Sequence, residues 1–461
     1  MLTKVQNLRK FQVDNYILAT VGALLVAASS LKFVVPFILI AFTLVLGWRK
    51  LNREAFVLSA PIMVFSSYQY LQLALRPESL AYYGDLSKVY LVVFCFALPY
   101  ANMLLMRPLS LKTLEVSVFF GSWATMIFWG FYQFAYDGGC RIEPFGINAL
   151  FIPITFLPLT YLFIALRVQE GRSNAVDSLT IFATLFCVTS FTGSRMPFYT
   201  LVFALMCVLG NLIYNRKTKS AGLFLLTLSA GLILALIKDG VSGCNMFQRI
   251  TDQLTTFSPN QAAAFMVIGL IVSAAIFLYT KNNFRNMQVT LKLFLGIAIV
   301  VISFTYIGGG FTYGAEHTVS GALASSEDSS VWTRWSFYMN SLNFLTSAEW
   351  NWLYGNGALA ESDIVNKGAT GNFSFTHAHN QYLSWLIAGG VLGLSSGLLL
   401  AGQLWRYIFS DLPSFIFLIL LGLPFFTNSP MYNAPITAQV LFLMLTMQII
   451  SFVRHGKRRM V

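Results

Sequence analysis

Two arginines and one histidine carry the strongest chemical signal in this sequence. Arg195 lies in Thr192-Gly193-Ser194-Arg195-Met196-Pro197, a very short polar stretch between two apolar runs. Arg334 lies in Val331-Trp332-Thr333-Arg334-Trp335, among aromatic residues. His379 lies in Thr376-His377-Ala378-His379-Asn380-Gln381, where a long polar stretch runs into another apolar segment. A guanidinium presents a fork of donors that matches phosphate oxygens. An imidazole accepts a proton near neutral pH. Together these groups could grip a diphosphate, activate a hydroxyl and stabilise charge on a departing phosphate. Each also has a plain structural reading. Arg195 could be a snorkelling anchor, Arg334 could pair with Glu327 or Glu349, and Asn380 could cap the helix that follows it.

The elements that position them follow from composition. Of 461 residues, 56% are hydrophobic and 10% are charged; soluble domains carry roughly 25% charged residues. The apolar runs are continuous, as in Tyr16 to Ser29 and Leu223 to Ile237. Backbone groups in lipid must bond internally, so continuous runs of about 20 residues read as membrane helices rather than barrel strands. The windows fall near 15–31, 33–48, 56–75, 87–106, 113–133, 148–166, 175–192, 197–215, 221–237, 261–280, 290–308, 381–405, 412–428 and 435–453. The expected fold is an all-α, polytopic membrane bundle of about 12–14 helices, a single membrane domain over 1–461. A shorter external loop falls at 238–260 and a long one at 308–380, the latter with short amphipathic helices near 331–353.

The charges set the orientation. Basic residues crowd alternate loops, 21 of the 30 Lys and Arg on one side, and the six acids beside them leave that side at +15. The other side holds nine basic and twelve acidic residues, a balance of −3. The net charge of +12 is therefore a topology signal and not a nucleic-acid footprint. Both termini are assigned to the cytoplasm, with the first apolar segment as an uncleaved span. Arg195, Arg334 and His379 fall on the non-cytoplasmic side.

Arg141, in Gly138-Gly139-Cys140-Arg141, and Arg249 are further external cations. With His377, Asn380 and Trp335 they make up a secondary set of substrate-binding candidates. Cys140 and Cys244 fall in two different external loops, where an oxidising compartment could join them. No metal-ligand spacing is present.

At these residues the sequence resembles the O-antigen ligase and polymerase family of bacterial inner-membrane glycosyltransferases. The pattern His379-Asn380, nine residues, Gly390, two residues, Gly393 resembles the ligase signature at the end of a long periplasmic loop. The Thr-Gly-Ser-Arg195 element resembles the family's short arginine motif. Arg334, followed by Tyr354-Gly355-Asn356-Gly357, resembles its loop arginine and Gly-x-Gly turn, and the segment from Gly139 to Asn148 resembles a weaker earlier element. The resemblance implies a GT-C-like enzyme that needs no metal or other cofactor. It would carry out inverting transfer from an undecaprenyl-pyrophosphate-linked glycan to the lipid A–core. By carry-over, Arg195 and Arg334 hold the pyrophosphate and His379 activates the acceptor hydroxyl or positions the donor. A polymerase that joins carrier-linked repeat units is the near alternative, since fourteen windows exceed the twelve spans described for ligases. A transporter is a more distant one, because few charges fall deep inside any span.

Overall fold

A computed structural model describes residues 51–106, 217–242, 329–347, 350–365, 380–408 and 430–459, with isolated positions between them. The described residues are helical and contain no strand. The helices are α1 (Arg53–Ala74), α2 (Pro77–Tyr82), α3 (Gly84–Met106), α4 (Thr218–Ser242), α5 (Ser329–Ser347), α6 (Asn351–Tyr354), α7 (Ala360–Val365), α8 (Gln381–Ile408) and α9 (Ala434–Arg459). Among the described residues, four stretches are long and apolar enough to cross a membrane: Gly84–Leu105, Thr218–Ile237, Gln381–Leu400 and Ile436–Val453. The chain is thus an all-α membrane protein. The windows read at 56–75, 87–106, 221–237 and 435–453 coincide with α1, α3, α4 and α9.

Local sequence sets the helix ends. Asn52, in extended backbone, caps α1 by accepting the Glu54 amide at 3.1 Å. Pro77 disfavours helical backbone at the residue before it. Arg76 accordingly leaves the helix (φ −126°, ψ 95°), and Pro77 opens α2 at its first position. The chain then reverses into α3, which runs back along α1. At the far end of the pair, the Asn52 amide donates to Asn102 Oδ1 at 3.0 Å.

Among the described spans, α9 is the most deeply buried. Ile436, Val440, Leu441, Leu445, Met447 and Ile450 are all buried, covering every side of the helix, as a helix in the middle of a bundle requires. Tyr100 of α3 is 1% exposed. It packs edge-on against Phe442 and shares a 2.8 Å hydrogen bond with Thr446. Such a bond matters where the surrounding lipid offers no competing partner. α4 differs, leaving Leu225, Leu226, Ile233, Leu234, Leu236 and Ile237 exposed. An outward apolar face of this kind suits hydrocarbon.

One expectation changes. The window 381–405 reads as a single continuous span, but α8 is two arms, 381–389 and 391–408, joined at Gly390 (φ 62°, ψ −157°). A side chain at Gly397 would meet the ring of Trp385 at 2.3 Å. Twelve residues of straight helix would separate those positions by about 18 Å, so the bend is sharp. Trp385 fills the angle. It meets Phe65, Tyr382 and Phe425 edge-on at centroid distances of 5.5, 5.8 and 5.9 Å, contacts of about 0.5–1.5 kcal/mol each.

Candidate active site

The bend of α8 strips three carbonyls of their partners. In an unbroken helix the oxygens of Ile387, Ala388 and Gly389 would accept from residues 391, 392 and 393. Here they are satisfied from elsewhere in the chain. The Asn356 amide donates to Ile387 O at 2.8 Å and the Gly357 amide to Ala388 O at 2.9 Å. Arg76 Nη1 donates to Ala388 O at 3.2 Å. The Tyr68 hydroxyl donates to Gly389 O at 2.7 Å. The two backbones touch so closely that each needs a glycine. A Cβ at Gly390 would lie 2.2 Å from the Leu353 carbonyl, and one at Gly355 (φ 64°) would lie 2.5 Å from Ile387 O. Both residues stand in the left-handed region that glycine alone enters without steric cost.

Arg76 lies at the centre of this junction. Its Nη1 also donates to Gln72 Oε1 at 2.8 Å, and its Nη2 to Gly355 O at 3.2 Å. Gln72 Nε2 in turn donates to the Tyr68 hydroxyl at 2.8 Å. Burial pushes the guanidinium down from its ordinary value; an arginine so placed still carries its charge.

The first arm of α8 begins beside the sequence-derived histidine. Asn380 caps it: its Oδ1 accepts the Leu383 amide at 3.1 Å and its carbonyl accepts the Ser384 amide. Gln381 Oε1 accepts the Met431 amide at 2.8 Å, which ties this arm to the start of α9. Ser384 donates to Oε1 of Glu361, a fully buried carboxylate of α7. The Tyr432 hydroxyl also bonds Glu361, and Tyr83 stacks on Tyr432 at 5.4 Å. Burial first, and the nearby Glu361 charge second, push both tyrosines well above their ordinary value. They stay neutral donors at any physiological pH.

Of the candidates read from the sequence, Arg195, His379, Arg141, Arg249, His377, Cys140 and Cys244 lie outside the described residues. Arg334 and Trp335 are placed by backbone alone, in the second turn of α5. α5 packs on α6, α7 and α8. The stretch carrying Arg334 and the helix that starts two residues after His379 therefore belong to one packed unit. Sequence reasoning passed over Arg76, Gln72, Tyr68 and Glu361. The first three had a signal, since Tyr68, Gln72 and Arg76 recur at every fourth position, the spacing at which side chains near a helix end come together. Glu361 had none.

These features define a class: a helical membrane protein whose late helix is broken at a glycine and clamped by a preceding loop. Residues 254–398 match the family model described as O-antigen ligase. The match covers Arg334, His379, Gly390 and Gly393, and it supports the O-antigen ligase and polymerase family for this chain. No curated protein matches the chain.

Proposed function

We propose that the chain is an O-antigen ligase of the bacterial inner membrane. It transfers a glycan from undecaprenyl pyrophosphate to the lipid A–core oligosaccharide. The single observation that carries this reading is the family match over 254–398, which contains both Arg334 and the His379-Asn380-x9-Gly390-x2-Gly393 pattern. The charge asymmetry of the loops supports a periplasmic site with both termini in the cytoplasm.

In this mechanism Arg195 and Arg334 bind the donor pyrophosphate at headgroup depth. The His379 imidazole takes the proton of the acceptor hydroxyl as its oxygen attacks the anomeric carbon. The bond from that carbon to the phosphate oxygen breaks, and the pyrophosphate leaves with the electron pair against the two guanidinium groups. Attack from the face opposite the leaving group inverts the anomeric centre. Arg141, Arg249, His377, Asn380 and Trp335 are assigned to donor and acceptor binding, Trp335 as a platform for a sugar face. No metal is required, because the arginines supply the charge.

A strain lacking the gene tests the reading through its lipopolysaccharide. Core without any O-antigen, with long chains retained on the carrier, is the ligase result. Core bearing a single repeat would instead identify a polymerase, which joins one carrier-linked glycan to another. Unaltered lipopolysaccharide would refute both.

A further inference from the structure

We propose that Arg76 is a positioning residue for this transfer, holding the turn that follows the Arg334-bearing helix α5 and the helix that starts two residues after His379 in a fixed relation. The inference rests on the transferase reading. Arg76 stands in neither the matched segment 254–398 nor any motif of the sequence. Its guanidinium nevertheless touches both halves of the site's scaffold. Nη2 holds the Gly355 carbonyl, in the turn just after α6, which packs on the Arg334-bearing α5, and Nη1 holds the Ala388 carbonyl, in the arm whose first residue follows His379-Asn380.

The geometry is that of a latch. The side chain of Gln72 accepts from Arg76 and donates to Tyr68, which donates to Gly389. The ring of bonds thus leaves the first arm of α8 at Ala388 and returns to it at Gly389. Among the described residues every hydrogen-bond partner of Arg76 is uncharged. A cation spent on carbonyls orients backbone; it does not neutralise an acid. The carbonyl end of a helical arm is also where a positive charge is favoured. Position 357 is shaped to the same group, since a Cβ there would lie 2.7 Å from Arg76 Cδ. A lysine has no fork and cannot reach acceptors on three segments at once. Between them the Gly355–Gly357 turn and Arg76 fix where the arm ends, and Asn380 fixes where it begins. If that arm shifts by an ångström, the imidazole beside it misses the acceptor hydroxyl, an error that can cost about 100-fold in rate.

The test uses purified protein in lipid nanodiscs, a synthetic lipid-pyrophosphate-linked glycan as donor and lipid A–core as acceptor. Arg76→Ala is expected to lower kcat about 10- to 100-fold per folded molecule, with donor KM changed less than about threefold. Arg76→Lys recovers part of the loss. Gly357→Ala, which displaces the guanidinium from the other side, reproduces it in milder form. Arg76→Ala combined with His379→Ala is no slower than His379→Ala alone, because the arginine acts through the imidazole. Hydrogen exchange quickens over 354–358 and 386–392 in Arg76→Ala. Wild-type kcat in folded Arg76→Ala, independent multiplication of the two losses, or unchanged exchange at the junction would each overturn the assignment. Absence of transfer by the wild-type protein would instead defeat the transferase reading, and this inference with it.

Discussion

Three carbonyl oxygens, those of Ile387, Ala388 and Gly389, decide whether α8 can bend where it does. Left unpaired in a bilayer, each would cost several kcal/mol, and each instead finds a donor from another segment. Tyr68→Phe removes one donor and almost no volume. It should destabilise the protein by about 1–3 kcal/mol, read as a lower unfolding midpoint in detergent; an unchanged midpoint would mean that Gly389 O does not depend on Tyr68. Gly390→Ala is more severe. The positive-φ, extended backbone at Gly390 costs a side chain about 1–3 kcal/mol, and overlap with the Leu353 carbonyl adds about 1–3 kcal/mol. Thermal unfolding of that variant should show a loss of several kcal/mol, larger than that of Gly402→Ala, where a side chain would meet nothing within 4 Å. The glycines of the His-Asn-x9-Gly-x2-Gly pattern thus have a backbone reason. Gly390 makes the bend, and Gly393, whose Cβ would sit 2.5 Å from Trp385 O, lets the arms close.

At the scale of elements, the helices were legible and the break was not. Continuous apolar windows betray spans because lipid forces the backbone to bond within itself, and α1, α3, α4 and α9 lie where those windows fall. Glycine inside such a window is common in membrane helices, so Ala388-Gly389-Gly390 carried no mark of a bend. Its complement, the turn Tyr354-Gly355-Asn356-Gly357, lies more than thirty residues away, and only tertiary contact reveals that each serves the other. Arg76 was hidden for a related reason: an arginine at a helix end reads as an interface anchor, and its acceptors are distant backbone. The cap at Asn380 was readable, because asparagine before an apolar run is a strong helix start. The Glu361–Ser384–Tyr432 group, which joins α7, α8 and the start of α9, leads to a pH prediction. Tyr83 and Tyr432 titrate in the folded protein above their ordinary value near 10. The stability lent by their neutral forms is therefore complete below pH 10 and is lost as the pH rises above it. Melting in detergent should be insensitive to these groups at neutral pH and fall in strong alkali, and Tyr432→Phe should blunt the fall. An alkaline slope unaltered in that variant would show that Tyr432 does not contribute.

At the scale of the whole molecule, charge counts predict the orientation. The turn at Asn356 and the start of α9 belong to one end of the bundle, through the contacts of Arg76, Gln381 and Tyr432. The basic cluster Arg454, Lys457, Arg458 and Arg459 lies at the opposite end of α9. Asn356, which is exposed, should react as Asn356→Cys with an impermeant maleimide in intact spheroplasts, whereas Arg459→Cys should react only after lysis. The reverse pattern would place the junction in the cytosol and exclude a periplasmic transfer. The measurement that bears most directly on the central claim is single-turnover transfer from a lipid-pyrophosphate-linked glycan by purified protein, compared among Arg195→Ala, Arg334→Ala and His379→Ala. The account predicts that the arginine variants bind donor weakly, and that His379→Ala binds it as tightly as the wild type yet transfers at least about 100-fold more slowly. Transfer by His379→Ala at the wild-type rate would contradict it.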